Sequence, residues 1–540
     1  MKLRKQVAFG VIASLVVLSA CSKDDATSTP SASTATSSAP ETAAATKAPP
    51  LTLNWLTFVP TNDVSLPAPD KDYIRQAIEQ KFNVKLNMEY GVPGEDHKTK
   101  INLKISSGAT PDMFQADGAQ TNQFIIDKAV ADLTPYVNPQ TMPNYYKWVT
   151  PEIIQRYQVQ EVFMRAPVPY EKQLYQSYYV RKDWLDKLGL KVPTNYDEMI
   201  NVMKAFTFGD PDGNGRNDTY GFTTFGNGIG VSKQFPEWYK NGLGIDLWYD
   251  QAHGEYVDPQ SDIRAGKVLD DIRAVLAQKI VDPDWFLAKP GQELEKVEAG
   301  KAGIFQSLLR TAAFDNVATS VKKKTIDISG VKTADFVPFH IMPDAVNYAA
   351  LPGVPFLFGA KTPPEKIKKS IEIMDWLAGP EGYLLSHFGK EGTNYTKSGN
   401  TITLIPDAIT KDNQANGNFF DVYSSIFAYG VQDPSPIGLT IIDPRETDHD
   451  RAIVEKLKSY KYPVLGTNVA PPPGFDIGAF RTQMRAYMVK ILFEEKDASN
   501  WPKYRKELMT TYHGKEIFDN YAKTISQVFK TPVVFKSENP

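Results

Sequence analysis

Leu51-Thr52-Leu53-Asn54-Trp55-Leu56-Thr57-Phe58 alternates apolar and polar side chains and is rich in β-formers, so it reads as a strand. A Pro-rich loop from Pro60 to Pro69 follows. Tyr73-Ile74, Ala77-Ile78 and Phe82 then recur at helical spacing, and Val84, Leu86 and Met88 alternate as a second strand. Helical Ile101 to Ile105 leads through a turn at Ser107-Gly108 into a short apolar strand, Asp112 to Ala116. A β-α-β-α-β order favours a parallel, doubly wound α/β sheet, in which ligands sit beyond the carboxyl ends of the strands. The loops after Phe58 and Ala116 are therefore expected to face a ligand.

Downstream segments keep alternating. Asp197 to Phe206, Pro259 to Leu276 and Pro364 to Leu377 read as helices, the last with apolar Ile367, Ile371, Met374 and Leu377, and Gly303 to Leu308 reads as a strand. No internal repeat of 20–50 residues is evident. The 540 residues carry 60 basic and 63 acidic side chains, a net charge near −3, and 42% are apolar. A near-neutral chain gives no footprint for nucleic acid or for polybasic membrane binding, and its apolar content fills sizeable cores. An alternating α/β chain of this size fits two lobes with a cleft between them.

Upstream, Lys2, Arg4 and Lys5 precede the apolar run Val7 to Leu18, which is short for a transmembrane helix and has the layout of a secretion signal. It ends in Leu18-Ser19-Ala20-Cys21, which resembles the bacterial lipobox. The resemblance implies cleavage after residue 20 and lipidation of Cys21, the chain's only cysteine, on the extracellular face of a bacterial plasma membrane. A single cysteine also excludes an intramolecular disulfide and a multi-cysteine zinc site. From Ser22 to Pro50, 24 of 29 residues are Ser, Thr, Ala or Pro, with no large apolar side chain, so residues 21–50 are expected to be a disordered tether. Its reach is roughly 30 Å.

Asp210-Pro211-Asp212-Gly213-Asn214-Gly215-Arg216-Asn217-Asp218 places oxygen-bearing side chains at relative positions 1, 3, 5 and 9, with glycine at position 6. This is most of an EF-hand loop, whose alternating short side chains converge hard oxygens on Ca²⁺. Arg216 at position 7 would offer its backbone carbonyl. Position 12 is Gly221, not the bidentate Glu, so further oxygens are needed, and Thr219 is a candidate. The alternative is a polar Asx turn without metal. A single, unpaired loop of this kind suits a structural ion that clamps a helix end to a strand.

Ser106-Ser107-Gly108-Ala109-Thr110-Pro111-Asp112-Met113-Phe114, followed by Ala129-Val130-Ala131-Asp132-Leu133-Thr134-Pro135-Tyr136, resembles the pattern of family 1 extracellular solute-binding proteins, the carbohydrate receptors of bacterial ABC importers. Val180 to Thr194 is similar to the crossover into the second lobe of the large lipoprotein branch, where an Asp-Pro-Asp-Gly-Asn-Gly loop also follows, as in calcium-containing alginate-oligosaccharide receptors. Glu298 to Ile304 resembles the family's strand entry, and Pro364 through Tyr383, continuing into Gly389 to Tyr395, resembles the helix beyond it.

The resemblance, which covers roughly Leu51 to Tyr395, implies a two-lobed periplasmic-binding-protein type II fold, maltose-binding-protein-like, with doubly wound sheets and a hinge. It implies the following division: 51–175 in the N-terminal lobe, 176–335 in the C-terminal lobe with the calcium loop, 336–400 returning to the N-terminal lobe, and 401–540 mainly C-terminal-lobe helices. It also implies an oligosaccharide ligand, an ABC permease partner with a separate ATPase, membrane attachment through the lipid alone, and a monomer.

For the ligand, Asp117 matches a position where family members bond sugar hydroxyls, though it could equally cap a helix beginning near Gln120. Trp55 lies within the first strand and either packs in the sheet or reaches the cleft, Trp238 and Trp248 are candidate stacking platforms, and Tyr395 follows a Gly-rich turn that could line the cleft. Where many sugar receptors carry tryptophans, this chain has Gln306-Ser307-Leu308-Leu309-Arg310. Gln306 and Arg310 suit hydrogen bonding, with Arg310 a fork for a uronate carboxylate. Val469 to Phe475, with three consecutive prolines, reads as a stiff loop at the cleft rim.

The alternative to a receptor is a secreted glycoside hydrolase or polysaccharide lyase, which needs paired carboxylates or a base beside a cation. His-Glu-x-x-His, Gly-x-Ser-x-Gly and P-loop motifs are absent, and the six histidines show no metal-ligand spacing. A binding receptor, not an enzyme, is the expected reading.

Overall fold

The computed structural model describes residues 48–59, 64–92, 94–158, 162–169, 176–246, 248–346, 354–428, 433–463, 467, 469–472 and 474–536. The secretion signal, Cys21 and nearly all of the tether lie outside the described residues. Residues 50–540 form one compact unit. Among the described residues no helix is long and apolar enough to cross a membrane.

In chain order the strands are β1 (Leu51–Phe58), β2 (Val84–Gly91), β3 (Met113–Gln115), β4 (Ser177–Arg181), β5 (Tyr220–Phe222), β6 (Trp248–Asp250), β7 (Glu255–Val257), β8 (Ala302–Ser307), β9 (Phe336–Phe339), β10 (Phe356–Phe358), β11 (Tyr395–Ser398), β12 (Thr401–Leu404), β13 (Thr440–Ile442) and β14 (Val534–Phe535). The first sheet has the order β10-β3-β1-β2, with β1 parallel to both neighbours and β10 antiparallel to β3. The second has the order β5-β8-β4-β9, with β5 and β8 parallel and β4 antiparallel to both β8 and β9. Two three-stranded sheets, β11-β12-β13 and β14-β7-β6, complete the set.

Local chemistry explains the first unit. Asp72 caps the Tyr73–Phe82 helix by accepting from the Arg75 N–H at 3.0 Å, Ile74 and Ile78 face inward, and Asn83 ends the helix in the left-handed region. Leu53 and Trp55 of β1, Leu86 of β2 and Phe356 and Phe358 of β10 meet Ile367, Ile371, Met374 and Leu377 of the Pro364–Ala378 helix in one core. Burying each such side chain contributes on the order of 2 kcal/mol.

A separate core gathers Tyr178 and Val180 of β4, Phe222, Ile304 and the helices Tyr196–Phe208, Ala265–Ala277, Ile477–Phe493 and Gly514–Phe529. Two cores around two sheets make two lobes. The chain passes between them from Ala166 to Ser177, back between Val346 and Phe356, and across again between Ile442 and Asp448.

That third passage moves a boundary. Residues from 401 on are expected mainly in the second lobe, yet Ile402, Leu404, Phe419, Tyr423, Ile426, Ile437 and Leu439 all pack in the first core. Thr-Ile-Thr-Leu of β12 alternates, so its inward isoleucine and leucine need the first lobe's apolar face. The second lobe resumes at the Asp448–Lys458 helix, whose Ile453 and Leu457 join Tyr179 and Phe305.

Candidate functional site

Because β1, β2 and β3 are parallel, their carboxyl ends share one edge of the first sheet. In the second sheet β5, β8 and β9 end on one edge, and β4 begins there at Ser177. The first two interlobe passages attach at these edges, which puts both edges at the junction of the lobes. That is the place the sequence assigns to a ligand.

Among the described residues, five of the sixteen buried polar atoms without a protein hydrogen-bond partner are carried by residues of these edges and the segments just beyond them. On the first side they are Thr57 Oγ1, Gln120 Oε1 and Asn122 Oδ1, and on the second Gln306 Nε2 and His340 Nε2. A native protein leaves few such groups unpaired, and each lacks the partner that a polar ligand or ordered water supplies. Beside them, the Thr224 hydroxyl lies 2.6 Å from Ser232 Oγ and 2.7 Å from Gln234 Oε1, and the Tyr178 hydroxyl donates to the Gln234 carbonyl at 2.9 Å. Burial holds His340 down to about pH 4, so the ring is neutral at pH 7, with Tyr239 edge-on at 4.5 Å. Sequence reading missed His340, whose position becomes visible only once β9 is known to end at Phe339.

The expected ligand residues divide. Gln306, opposite Tyr178 on β8, is buried with its amide nitrogen unpaired and lies at the second edge. Asp117 is exposed at the first edge and caps the Gly118–Ile126 helix, its Oδ1 3.4 Å from the Gln120 N–H. Arg310 is engaged within the protein: it lies 3.8 Å from Glu446 Oε1 and its guanidinium sits over the Phe314 ring.

The aromatic candidates are mostly core. Trp55 is 1% exposed and its indole donates to Ser370 Oγ at 3.2 Å, because its side of β1 faces the Pro364–Ala378 helix. Trp238 is likewise buried and donates to the Ser232 carbonyl at 3.0 Å. Tyr395 opens β11 and packs in the first core. Trp248 is half-buried on β6, with the Arg264 guanidinium 5.9 Å from its ring centroid. Trp55, Trp238 and Tyr395 are buried and present no stacking face, whereas Trp248 is only half-buried.

The stiff loop joins the lobes. Val469 accepts from Asn122 Nδ2 at 3.1 Å on the first-lobe side, and Ala470 accepts from Asn520 Nδ2 at 2.8 Å on the second. The Thr467 hydroxyl donates to the Arg156 carbonyl at 3.1 Å.

The acidic loop lies at the opposite end of the second sheet, between the Tyr196–Phe208 helix and β5. Asp210 adopts a left-handed backbone (φ 48°), as does Gly215 (φ 75°), which makes the sharp turn. Asp210 accepts from the N–H groups of Asn214 at 2.9 Å and Gly215 at 3.0 Å, and the Asn214 amide donates to Asp212 at 2.7 Å and to Asp218 at 3.0 Å. Lys301 Nζ is 2.6 Å from Asp218 Oδ2 and holds that carboxyl below its ordinary range. Burial, then the neighbouring Asp210 and Asp218, push the Asp212 carboxyl up. Carboxylates gathered around donors in this way are the oxygen set a hard divalent cation takes.

One position differs from the expectation, Thr219, while the packing at Gly221 accounts for the glycine that the sequence has there. The Thr219 hydroxyl is buried and donates to the Phe206 carbonyl at 2.6 Å, so it closes the preceding helix instead of facing the loop. A Cβ on Gly221 would lie 2.4 Å from the Met203 backbone, which leaves no space for an EF-hand glutamate at that position.

A family model described as bacterial extracellular solute-binding protein matches residues 65–383. The polygalacturonan/rhamnogalacturonan-binding protein YtcQ of Bacillus subtilis (strain 168) is 23% identical over 360 residues, covering 64% of this chain and 68% of the relative. Among solved structures, alginate-binding protein AlgQ2 without calcium ion is similar with a TM-score of 0.63 and 17% identity, covering 90% of this chain and 99% of that one. The substrate-binding protein FusA of S. pneumoniae, as an EF-hand mutant in complex with fructo-nystose, aligns with a TM-score of 0.60 and 18% identity over 89% of this chain and 99% of that one.

Proposed function

The chain belongs to the bacterial extracellular solute-binding proteins, and from that premise we propose that it is a receptor that captures an oligosaccharide between its two lobes and delivers it to the permease of an ABC importer. The observation that carries this reading is the set of unpaired polar atoms at the two sheet edges where the lobes join, on Thr57, Gln120, Asn122, Gln306 and His340. Polar groups that lack partners inside the protein suit a ligand made of hydroxyls, each of which both donates and accepts. The names of YtcQ, AlgQ2 and FusA, which specify polysaccharide or oligosaccharide ligands, support the same class. Ligand held by both lobes favours the closed form by its differential affinity, and the third passage, Asp443 to Thr447, is short enough to act as a hinge. Catalysis has no place in this scheme. Energy for uptake comes from a separate ATPase.

The acidic loop fits Ca²⁺. Asp210, Asp212, Asn214 and Asp218 would hold it with their side chains and Arg216 with its carbonyl, water completing the set. Bound there, Ca²⁺ supplies a fixed divalent charge that ties the end of the Tyr196–Phe208 helix to β5. Asn214 would turn its amide oxygen inward in place of the N–H groups it now directs at the carboxylates. The mature protein is a monomer anchored through lipid on Cys21, on the extracellular face of the plasma membrane, and it meets the membrane in no other way.

A thermal-shift screen of neutral and acidic oligosaccharides, with Ca²⁺ and with chelator, tests the reading. At a hundredfold excess over Kd a true ligand stabilises by about 2.7 kcal/mol and is recovered intact. Consumption of the sugar would make the protein an enzyme. Cys21→Ser should release the protein from cells into the medium; retention at the membrane would remove the lipid anchor.

A further inference from the structure

The acidic loop is held together by a cation of the protein's own. Asp218 has both carboxylate oxygens occupied: Oδ1 accepts from Asn214 Nδ2 at 3.0 Å, and Oδ2 from Lys301 Nζ at 2.6 Å. Lys301 does not reach the loop by chance of a mobile side chain. Its carbonyl accepts from the Tyr220 N–H at 2.8 Å, so its backbone is locked to the start of β5, the strand that leaves the loop. A second amine, Lys187 Nζ, donates to the Pro211 carbonyl at 3.0 Å and the Asp210 carbonyl at 3.3 Å. Both lysines and Asp212 border a cavity of about 690 Å³, shared with Arg181, Asp183 and Asp335.

We propose that Lys301 is a tethered counter-ion that occupies the calcium loop's Asp218 when no divalent ion is bound and must leave it when one binds, so that it sets the loop's affinity and keeps the empty loop folded. The proposal rests on the calcium reading above. A divalent ion on Asp218 would lie within a few ångströms of the Lys301 ammonium, and the repulsion between the two positive charges drives the amine off the carboxylate. Displacement is therefore part of binding, and the adjoining cavity gives the amine room to withdraw. Without an ion, the three carboxylates have only neutral donors among them, the backbone N–H groups on Asp210 and the Asn214 amide, and Lys301 supplies a positive charge. The loop then keeps its shape in either state, at the cost of weaker ion binding.

The experiment is calorimetric titration of Ca²⁺ into the purified chain after chelator treatment, alongside thermal melts with chelator and with saturating Ca²⁺. Lys301→Met should bind Ca²⁺ roughly three- to tenfold more tightly than wild type, melt lower in chelator and recover fully with Ca²⁺. Lys301→Arg, which keeps the charge, should stay within about twofold of wild type. Lys301→Gln serves the same comparison if the Met variant does not fold. Wild-type binding with an unchanged Lys301→Met affinity would overturn this proposal alone. Absence of any Ca²⁺ binding by wild type and variants would overturn it together with the calcium reading.

Discussion

Tyr196 donates its hydroxyl to Oε1 of Glu237 at 2.8 Å, while Oε2 of the same fully buried carboxyl has no partner. Burial pushes Glu237 from its ordinary 4.5 up to about 7, against the stabilising bond from Tyr196. A carboxyl whose pKa is raised by folding contributes stability below its unfolded value, which is lost as pH rises through the folded one. Stability should therefore decline between pH 4.5 and about 7 from this group, by an order of 3 kcal/mol. Glu237→Gln should flatten that slope in urea denaturation at pH 5 and pH 8. An equal slope in the variant would assign the dependence elsewhere.

His340 works in the opposite sense. Burial lowers its pKa from 6.5 to about 4, so its contribution is complete above pH 6.5 and is lost as pH falls through about 4. Acid denaturation should gain about 3 kcal/mol of steepness from it, and His340→Gln should reduce that steepness. His340 belongs to the set proposed to meet the ligand, so the same variant should also weaken oligosaccharide affinity at pH 7, measured by calorimetry.

His449, at the start of the Asp448–Lys458 helix, sits among Asp335 at 3.2 Å, Asp315 at 3.3 Å and Asp450 at 3.5 Å, with Lys322 bridging Asp315 and Asp335. The Asp335 carboxylate beside Nε2 raises its pKa above 6.5. Its stabilisation is therefore present below pH 6.5 and fades as pH rises through the raised value. NMR titration of the ring should find it above 6.5 in wild type and lower in Asp335→Asn. An unshifted titration in that variant would show Asp335 is not the cause.

Gly303 leaves no room for a methyl group. A Cβ there would lie 2.1 Å from Phe206 Cδ2 and 2.9 Å from Trp184 Cε3, two rings packed edge to face. Gly303→Ala should destabilise the second lobe by about 2–4 kcal/mol, read from the denaturation midpoint. A change under 0.5 kcal/mol would mean the rings yield.

Asp212→Ala removes one of the converging carboxylates. It should abolish the rise in melting temperature caused by Ca²⁺ while leaving far-UV circular dichroism in chelator unchanged. A persisting rise would place the ion elsewhere.

Much of the fold is legible because its signals are local. Alternation marks β1 and β2, and Ile367, Ile371, Met374 and Leu377 mark a helix one face of which must be buried. The side to which a strand residue points is another matter. Trp55 lies on a strand with its indole at Ser370, and nothing near it in sequence shows that the covering helix lies on that side. Arg310 has the chemistry for a uronate, but Glu446, a carboxylate 3.8 Å from it, comes from the third interlobe passage. The acidic loop was readable in its spacing, whereas Lys301 lies outside it and joins only through the parallel pairing of β5 with β8.

The three passages between lobes also govern the order in which the protein can be made. Leu53 and Trp55 emerge early, but the side chains that finish covering their core, Phe419, Tyr423 and Leu439, come after the whole first stretch of the second lobe. Neither lobe can complete its core as an uninterrupted run of chain. Contacts so distant in sequence carry a large loop-closure cost before they stabilise anything, which slows folding. A chain delivered progressively from its amino end therefore holds an unfinished first core for most of its passage, exposing the apolar face of the first sheet to aggregation until Leu439 arrives.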